Sequence, residues 1–239
     1  MSCKVLYGAT DYFTPFPDPK AVFSRDVKSH CQYLLPLATI DLSVIDPILK
    51  GKVHFIQPIE PWAGVVGEGG DEFFTYYCRE NYVGYTYDES GLCQLGTDFG
   101  FFELARSSNE QLSKHYENVR MGFEKAHDCY RRNGWVCYEQ DEPAKSREHF
   151  ELISEIGPPS EGGNWPETVE FPMHWGTLQI NGEETDHIVP LTEDGRSFLY
   201  VGTLSAFCWL LPETSALGCD LLLFYDPVTR TALTTFDWS

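Results

Sequence analysis

The sequence predicts an α+β protein, mostly antiparallel strands around one long helix. Three observations carry that prediction: one run of helical apolar periodicity with start and stop signals, short aromatic and β-branched runs on both sides of it, and Asn-Gly, Asp-Gly and Asp-Pro punctuation between those runs. A chain of 239 residues buries roughly 70% or more of its unfolded surface, so it needs no staples to fold. The expectation is a single domain over 1–239, with β-rich halves at 30–104 and 150–239 joined by a helix over 108–132.

The helix is read from both ends and its middle. Ser107 and Glu110 form a capping box, with the serine accepting from the third helical amide. Leu112, Tyr116, Val119, Phe123, Ala126 and Tyr130 follow at alternating spacings of four and three, one stripe on one face. Arg131 and Arg132 suit the negative end of the helix dipole, and Asn133-Gly134 supplies a left-handed stop. The stripe lasts under four heptads, so it packs on the protein's own sheet rather than forming a coiled coil.

Strands are expected at Cys31–Ile40, Gly51–Gln57, Glu72–Cys78 and Asn81–Tyr87 before the helix. After it they are expected at Phe171–Ile180, Ser197–Thr203, Phe207–Leu211, Cys219–Tyr225 and Thr231–Trp238. The last two form the best hairpin candidate, through the compact turn Asp226–Arg230. The segment Gly64–Gly70 reads as a flexible loop. A similar order of features runs through Ala38–Ile56 and Leu178–Tyr200, which suggests related halves, with chance similarity among short strands as the alternative.

Some of these residues resemble a known family. Leu35 to Ser43 with Lys50 to Ile56, and Gly157-Pro158-Pro159 through Trp165-Pro166 to Gly176–Asn181, resemble signature elements of the bacterial YwqG-like family. Thr39 stands where that family has glutamine, and its Gly-Gly-x-Pro opening is missing near residue 15. The resemblance covers about a third of the chain in pieces. It implies a β-rich fold with internally similar halves and brings no established catalysis.

Charge says more than any motif. The chain has 36 Asp and Glu against 17 Lys and Arg. Residues 135–239 hold 18 of the acids against only Lys145, Arg147, Arg196 and Arg230. That field repels phosphate backbones and anionic lipid and speeds encounter with cations, so nucleic acid and membrane are excluded as expected partners. Solubility alone is the competing reason for such acidity. The longest apolar runs fall far short of the roughly 18 residues of a membrane helix, and Met1-Ser2-Cys3-Lys4-Val5 lacks the apolar stretch of a secretion signal. A cytoplasmic protein is expected.

Catalytic signatures are missing. The eight cysteines form no Cys-x-x-Cys pair and read as buried free thiols, and the seven histidines are never spaced i, i+2 or i, i+4. His127-Asp128-Cys129 are helical neighbours pointing in different directions, which rules out a triad. His174 reads as a strand histidine bonded to a core polar group. There is no Gly-x-Ser-x-Gly elbow around Ser197, Ser205 or Ser215, and the loop from Gly64 lacks the Lys-Ser/Thr of a phosphate cradle. Glu183-Glu184-Thr185-Asp186 reads as a solvated loop without calcium-loop spacing. No catalytic, cofactor or metal residue is therefore assigned, and residues converging only in three dimensions stay open.

A surface argument remains. Glu183, Glu184, Asp186, Glu193 and Asp194, on two neighbouring loops beside exposed aromatics, form the expected partner-binding site. Small acidic bacterial proteins without an active site are often immunity proteins. By that analogy the expected function is non-enzymatic inhibition of a basic protein partner, a bacterial toxin in the most specific form. The alternative is a YwqG-like cytosolic protein with a small ligand or hydrolytic activity.

Overall fold

The computed structural model describes residues 6–60, 65–136, 151–160, 163–205 and 219–238. Its strands are β1 (Phe13–Pro15), β2 (Leu34–Asp41), β3 (Lys52–Pro58), β4 (Cys78–Arg79), β5 (Tyr82–Tyr87), β6 (Cys93–Leu95), β7 (Ile153–Ile156), β8 (Met173–Ile180), β9 (Glu183–Pro190), β10 (Leu199–Ser205), β11 (Asp220–Asp226) and β12 (Thr231–Asp237). The helices are α1 (Val27–Tyr33), α2 (Glu103–Arg106) and α3 (Glu110–Asn133). All pairings between these strands are antiparallel, so the fold is α+β with one long helix, as the sequence predicts.

The main sheet runs β4-β5-β12-β11-β10-β7, with β6 also on β5. Alternation along its strands gives it two apolar faces. Val83, Tyr85, Leu221, Leu223, Ala232 and Phe236 share one core with β2, β3 and α3, whereas Tyr82, Leu222, Phe224 and Leu233 share another with Trp165, Phe171, Ile188 and Phe198. The small sheet β1-β2-β3 lies against the first face, where β3 packs on β11 and β12. Sandwiched in this way, β2 and β3 are buried almost throughout, which accounts for their near-continuous apolar runs. The hairpin β8-β9 forms a two-stranded sheet of its own.

The long helix starts later than the capping box predicts. Asn109 is the cap, its side chain accepting from the Gln111 amide at 2.9 Å, while Ser107 accepts from the Asn109 amide at 3.2 Å and so organises the approach instead. The other end is as expected: Gly134 sits at φ 80° and its N–H closes on the Tyr130 carbonyl. Leu112, Tyr116, Val119 and Ala126 are buried, and Phe123 and Tyr130 pack half-buried on the same core. Phe16 stacks on His127 and meets Phe123 and Tyr130 at tilted angles.

Several expected strands are corrected. Residues 31–33 end α1, so the strand begins only at Leu34. Glu72–Cys78 is a 3-10 turn and irregular chain up to the two-residue β4, because Tyr77 crosses β5 at Gly84. A Cβ there would lie 2.6 Å from the Tyr77 Cβ. Phe207–Leu211 lies outside the described residues. The β11–β12 hairpin is present with the turn at Asp226–Arg230, Arg230 taking φ 54°.

The β-rich segments on either side of α3 share one sheet, since β5 pairs with β12. The two stretches of similar feature order are laid out differently. Ala38–Ile56 belongs to the paired strands β2 and β3, whereas Leu178–Tyr200 covers the end of β8, all of β9 and the start of β10, which lies in the main sheet.

Candidate functional site

The β8-β9 hairpin is exposed over much of its length. Asn181 and Gly182, both at positive φ (53° and 90°), make a two-residue turn whose twist matches the strands it joins. The base is anchored: Ile188 and Val189 are buried, and the Ile188 amide donates to the Ser160 carbonyl at 3.1 Å. The Ser160 amide donates to Nδ1 of His187 at 3.1 Å. Burial, and then the nearby His174, lower the His187 pKa. Toward the tip the anchoring stops.

Cross-strand partners share a face. The register pairs Trp175 with Ile188, Thr177 with Asp186 and Gln179 with Glu184, so Trp175, Asp186 and Glu184 lie on one face. Trp175 is 64% exposed, and Thr177, Gln179, Glu184 and Asp186 are exposed with it. Asp186 is diagonal to Trp175, a separation of about 7–8 Å between such positions. The opposite face carries Leu178, Ile180 and Thr185, which are half-buried, and Glu183 beside Ile180.

The five acids expected to form one site are thus placed on different structures. Glu183, Glu184 and Asp186 are on β9, not on a solvated loop, with Glu183 turned to the other face. Glu193 and Asp194 are in the turn beyond the base of the hairpin. At about 3.3 Å per residue, β9 separates Glu183 from Pro190 by about 23 Å, which sets Glu183 apart from the turn that holds Glu193 and Asp194. Asp194 is occupied: it accepts from Thr192 at 2.6 Å and pairs with Arg196 at 3.0 Å. The hydrogen bond from Arg196, then that from Thr192, holds its carboxyl below the usual range. Arg196 also pairs with the buried Asp226 at 2.6 Å. Burial alone would raise the Asp226 carboxyl, but its bonds from Thr229 and Arg196 outweigh that and leave it lowered.

Further acids adjoin the hairpin. Glu167 and Glu170, in the segment leading into β8, line a cleft of about 620 Å³ with Asp71, Glu80 and a single cation, Arg79. From Glu148 to Gly195 the chain has eleven acids and no Lys or Arg. Trp175 and this cleft escape a reading by runs of apolar residues. The signal for the hairpin is Asn181-Gly182 between two stretches of equal length, the strongest short-range hairpin cue.

The remaining candidates are structural. His54 is 2% exposed: Thr39 Oγ1 meets its Nδ1 at 2.8 Å, its Nε2 lies 3.1 Å from the Gly91 carbonyl, and burial lowers its pKa to about 4. His127 lies flat on Phe16, Asp128 pairs with Arg131 at 3.0 Å, and Cys129 is buried, so the three do not converge. His174 is exposed, not bonded into the core.

The glycine loop is pinned. The Gly67 amide donates to Glu60, and Arg106 donates to the Glu68 and Gly69 carbonyls at 2.6 Å each. Glu60 also accepts from Tyr116 Oη at 2.7 Å and from the Glu103 amide at 2.5 Å, and burial raises its pKa. Cys78, Cys93, Cys129 and Cys219 are buried free thiols; burial pushes Cys78 up to about 11 and Cys219 to about 12. Among the described residues no three His, Cys, Asp or Glu side chains are grouped as metal ligands, and no helix is long and apolar enough to cross a membrane. No family model matches the chain, and no curated protein or solved structure matches it either.

Proposed function

We propose that this chain is a non-enzymatic protein that binds and inhibits a cationic protein partner, in its most specific form an immunity protein against a basic bacterial toxin. One observation carries the reading: Trp175, 64% exposed, shares the outward face of a projecting hairpin with Glu184 and Asp186. An exposed tryptophan supplies the large apolar anchor of an interface hot spot, and acids beside it select a basic partner and hold it in register. The cleft lined by Glu167 and Glu170, in the segment before β8, carries charge of the same sign. The formal charge of −19 steers encounter over distances beyond any contact.

Association kinetics with the cognate basic partner test this reading. Replacing Glu184 and Asp186 by Lys is expected to slow association about tenfold at low salt and much less at high salt, where screening has removed the long-range attraction. Trp175→Ala acts on dissociation, weakening binding by about 2 kcal/mol or more, roughly thirtyfold. Association insensitive to both salt and the charge reversals, with Trp175→Ala binding normally, would refute the hairpin as the interface.

A further inference from the structure

A second cleft, of about 840 Å³, opens where the β2–β3 connection, the β5–β6 turn and the β11–β12 turn meet. That volume suits a small organic ligand rather than a bare ion. Its walls are apolar at Leu42, Leu49, Leu92 and Pro227. Its floor is polar but closed on itself: Thr39 and the Gly91 carbonyl take both His54 ring nitrogens, and the His54 amide donates to Tyr87 Oη at 2.9 Å. Neutral at physiological pH, His54 makes a wall here rather than a charge.

Charge enters from the rim. Lys50 lies just before β3 and Lys52 begins it, and Arg230 of the β11–β12 turn lines the same cleft. The acids of the same cleft are engaged locally. The Asp88 carboxylate accepts from the Ser90 amide, the Ser90 hydroxyl and the Leu92 amide, and Asp18 accepts from the Lys20 amide. Glu89 approaches Arg230 at 3.8 Å with 92% of its side chain exposed, so it holds the guanidinium weakly. Each lysine carries three donors, Lys52 standing across the strand pair from Asp41, and Arg230 offers a planar fork. The cleft lined by Glu167 and Glu170 has four carboxylates and one arginine, whereas this one has three side chains of each sign.

We infer that this cleft binds a small amphiphilic anion, an apolar body seated between Leu42, Leu49, Leu92 and Pro227 with its carboxylate, phosphate or sulfonate held by Lys50, Lys52 and Arg230. The site shares no residue with the hairpin and is independent of the protein-binding reading.

The test uses 8-anilinonaphthalene-1-sulfonate as probe, followed by its fluorescence on the full chain. One saturable site is expected. Lys50→Ala/Lys52→Ala/Arg230→Ala should weaken it about tenfold or more, as loss of charge-assisted bonds does, without shifting the unfolding midpoint, since all three side chains are exposed. Ala21→Trp, which fills the cleft without altering charge, should also abolish binding. Dodecanoate should displace the probe and inorganic phosphate should not, while Trp175→Ala should leave it unchanged. Absence of saturable binding, equal affinity in the triple variant or in Ala21→Trp, or displacement by inorganic phosphate as effective as by dodecanoate would overturn the inference.

Discussion

Strands β11 and β8 differ in almost everything except being strands. β11 is central in the main sheet, paired on both edges and covered on both faces: Leu221 and Leu223 enter one core, Leu222 and Phe224 the other. Among the described residues β8 pairs with β9 alone, and its outward face shows Trp175, Thr177 and Gln179 to solvent. Fixing a strand costs backbone entropy that burial must offset. β11 offsets it with its own side chains, whereas β8 leans on the anchored base of the hairpin. Stability is thus concentrated in the sheet, and the hairpin's outer face is free to hold residues chosen for another purpose.

The largest expected effect contrasts those two regions directly. Phe224 is fully buried between Trp165 and Tyr200, with ring centroids 5.4 Å from each. Phe224→Ala should destabilise by about 3–5 kcal/mol, as large core cavities do. Trp175→Ala should change stability by no more than about 0.5 kcal/mol, as exposed substitutions do. Denaturant unfolding of both variants checks this, and similar losses would break the comparison.

The next effect is a pH dependence led by His54 of β3. His54 titrates near its ordinary 6.5 when unfolded and at about 4 when folded, because burial disfavours the imidazolium. Between those values the unfolded chain binds the extra proton, so stability is complete above about pH 6.5 and is lost as pH falls toward 4, on the order of 3 kcal/mol. His30 and His187, also lowered chiefly by burial, act with the same sign. His54→Gln should flatten the slope of unfolding free energy against pH in that window, whatever its effect on stability at pH 7. An unchanged slope would remove His54 from the account.

A smaller effect concerns the clamp between β3 and the helices. Glu60 ties Tyr116 of α3, the Gly67 loop and the first amide of α2 together. Glu60→Ala strands those donors and should cost about 2–3 kcal/mol. Proteolysis should then cut the segment 65–70 first, and an unaltered cleavage pattern would show the loop to be held by other contacts.

The legible parts of this fold are those whose local pattern survives in the tertiary structure. The α3 stripe and Gly134 stop fall where the periodicity puts them, and so does the β11–β12 turn. The first turns of α3 are misplaced because Ser107 and Asn109 are both competent caps. β9 is hidden because Glu183, Glu184 and Asp186 mask its alternation, although Asn181-Gly182 announces a turn. Glu72–Cys78 reads as a strand from its aromatic content, yet Phe73 packs over Gly100 from a 3-10 turn and Tyr77 over Gly84 from irregular chain. The acidity of the site is visible in the sequence. Its division along β9, and the exposure of Trp175, depend on which face of β8 is covered, and local sequence does not encode that.

The central claim, that stability resides in the main sheet while the hairpin tip stands apart from it, is tested most directly by native-state hydrogen exchange. Amides of Leu223, Phe224 and Leu233 should exchange only through global unfolding, whereas hairpin amides from residue 176 to 186 should open locally at a free energy at least about 2 kcal/mol lower. Equal protection in β8, β9 and β11 would show the hairpin to be part of the same cooperative unit and would contradict the account.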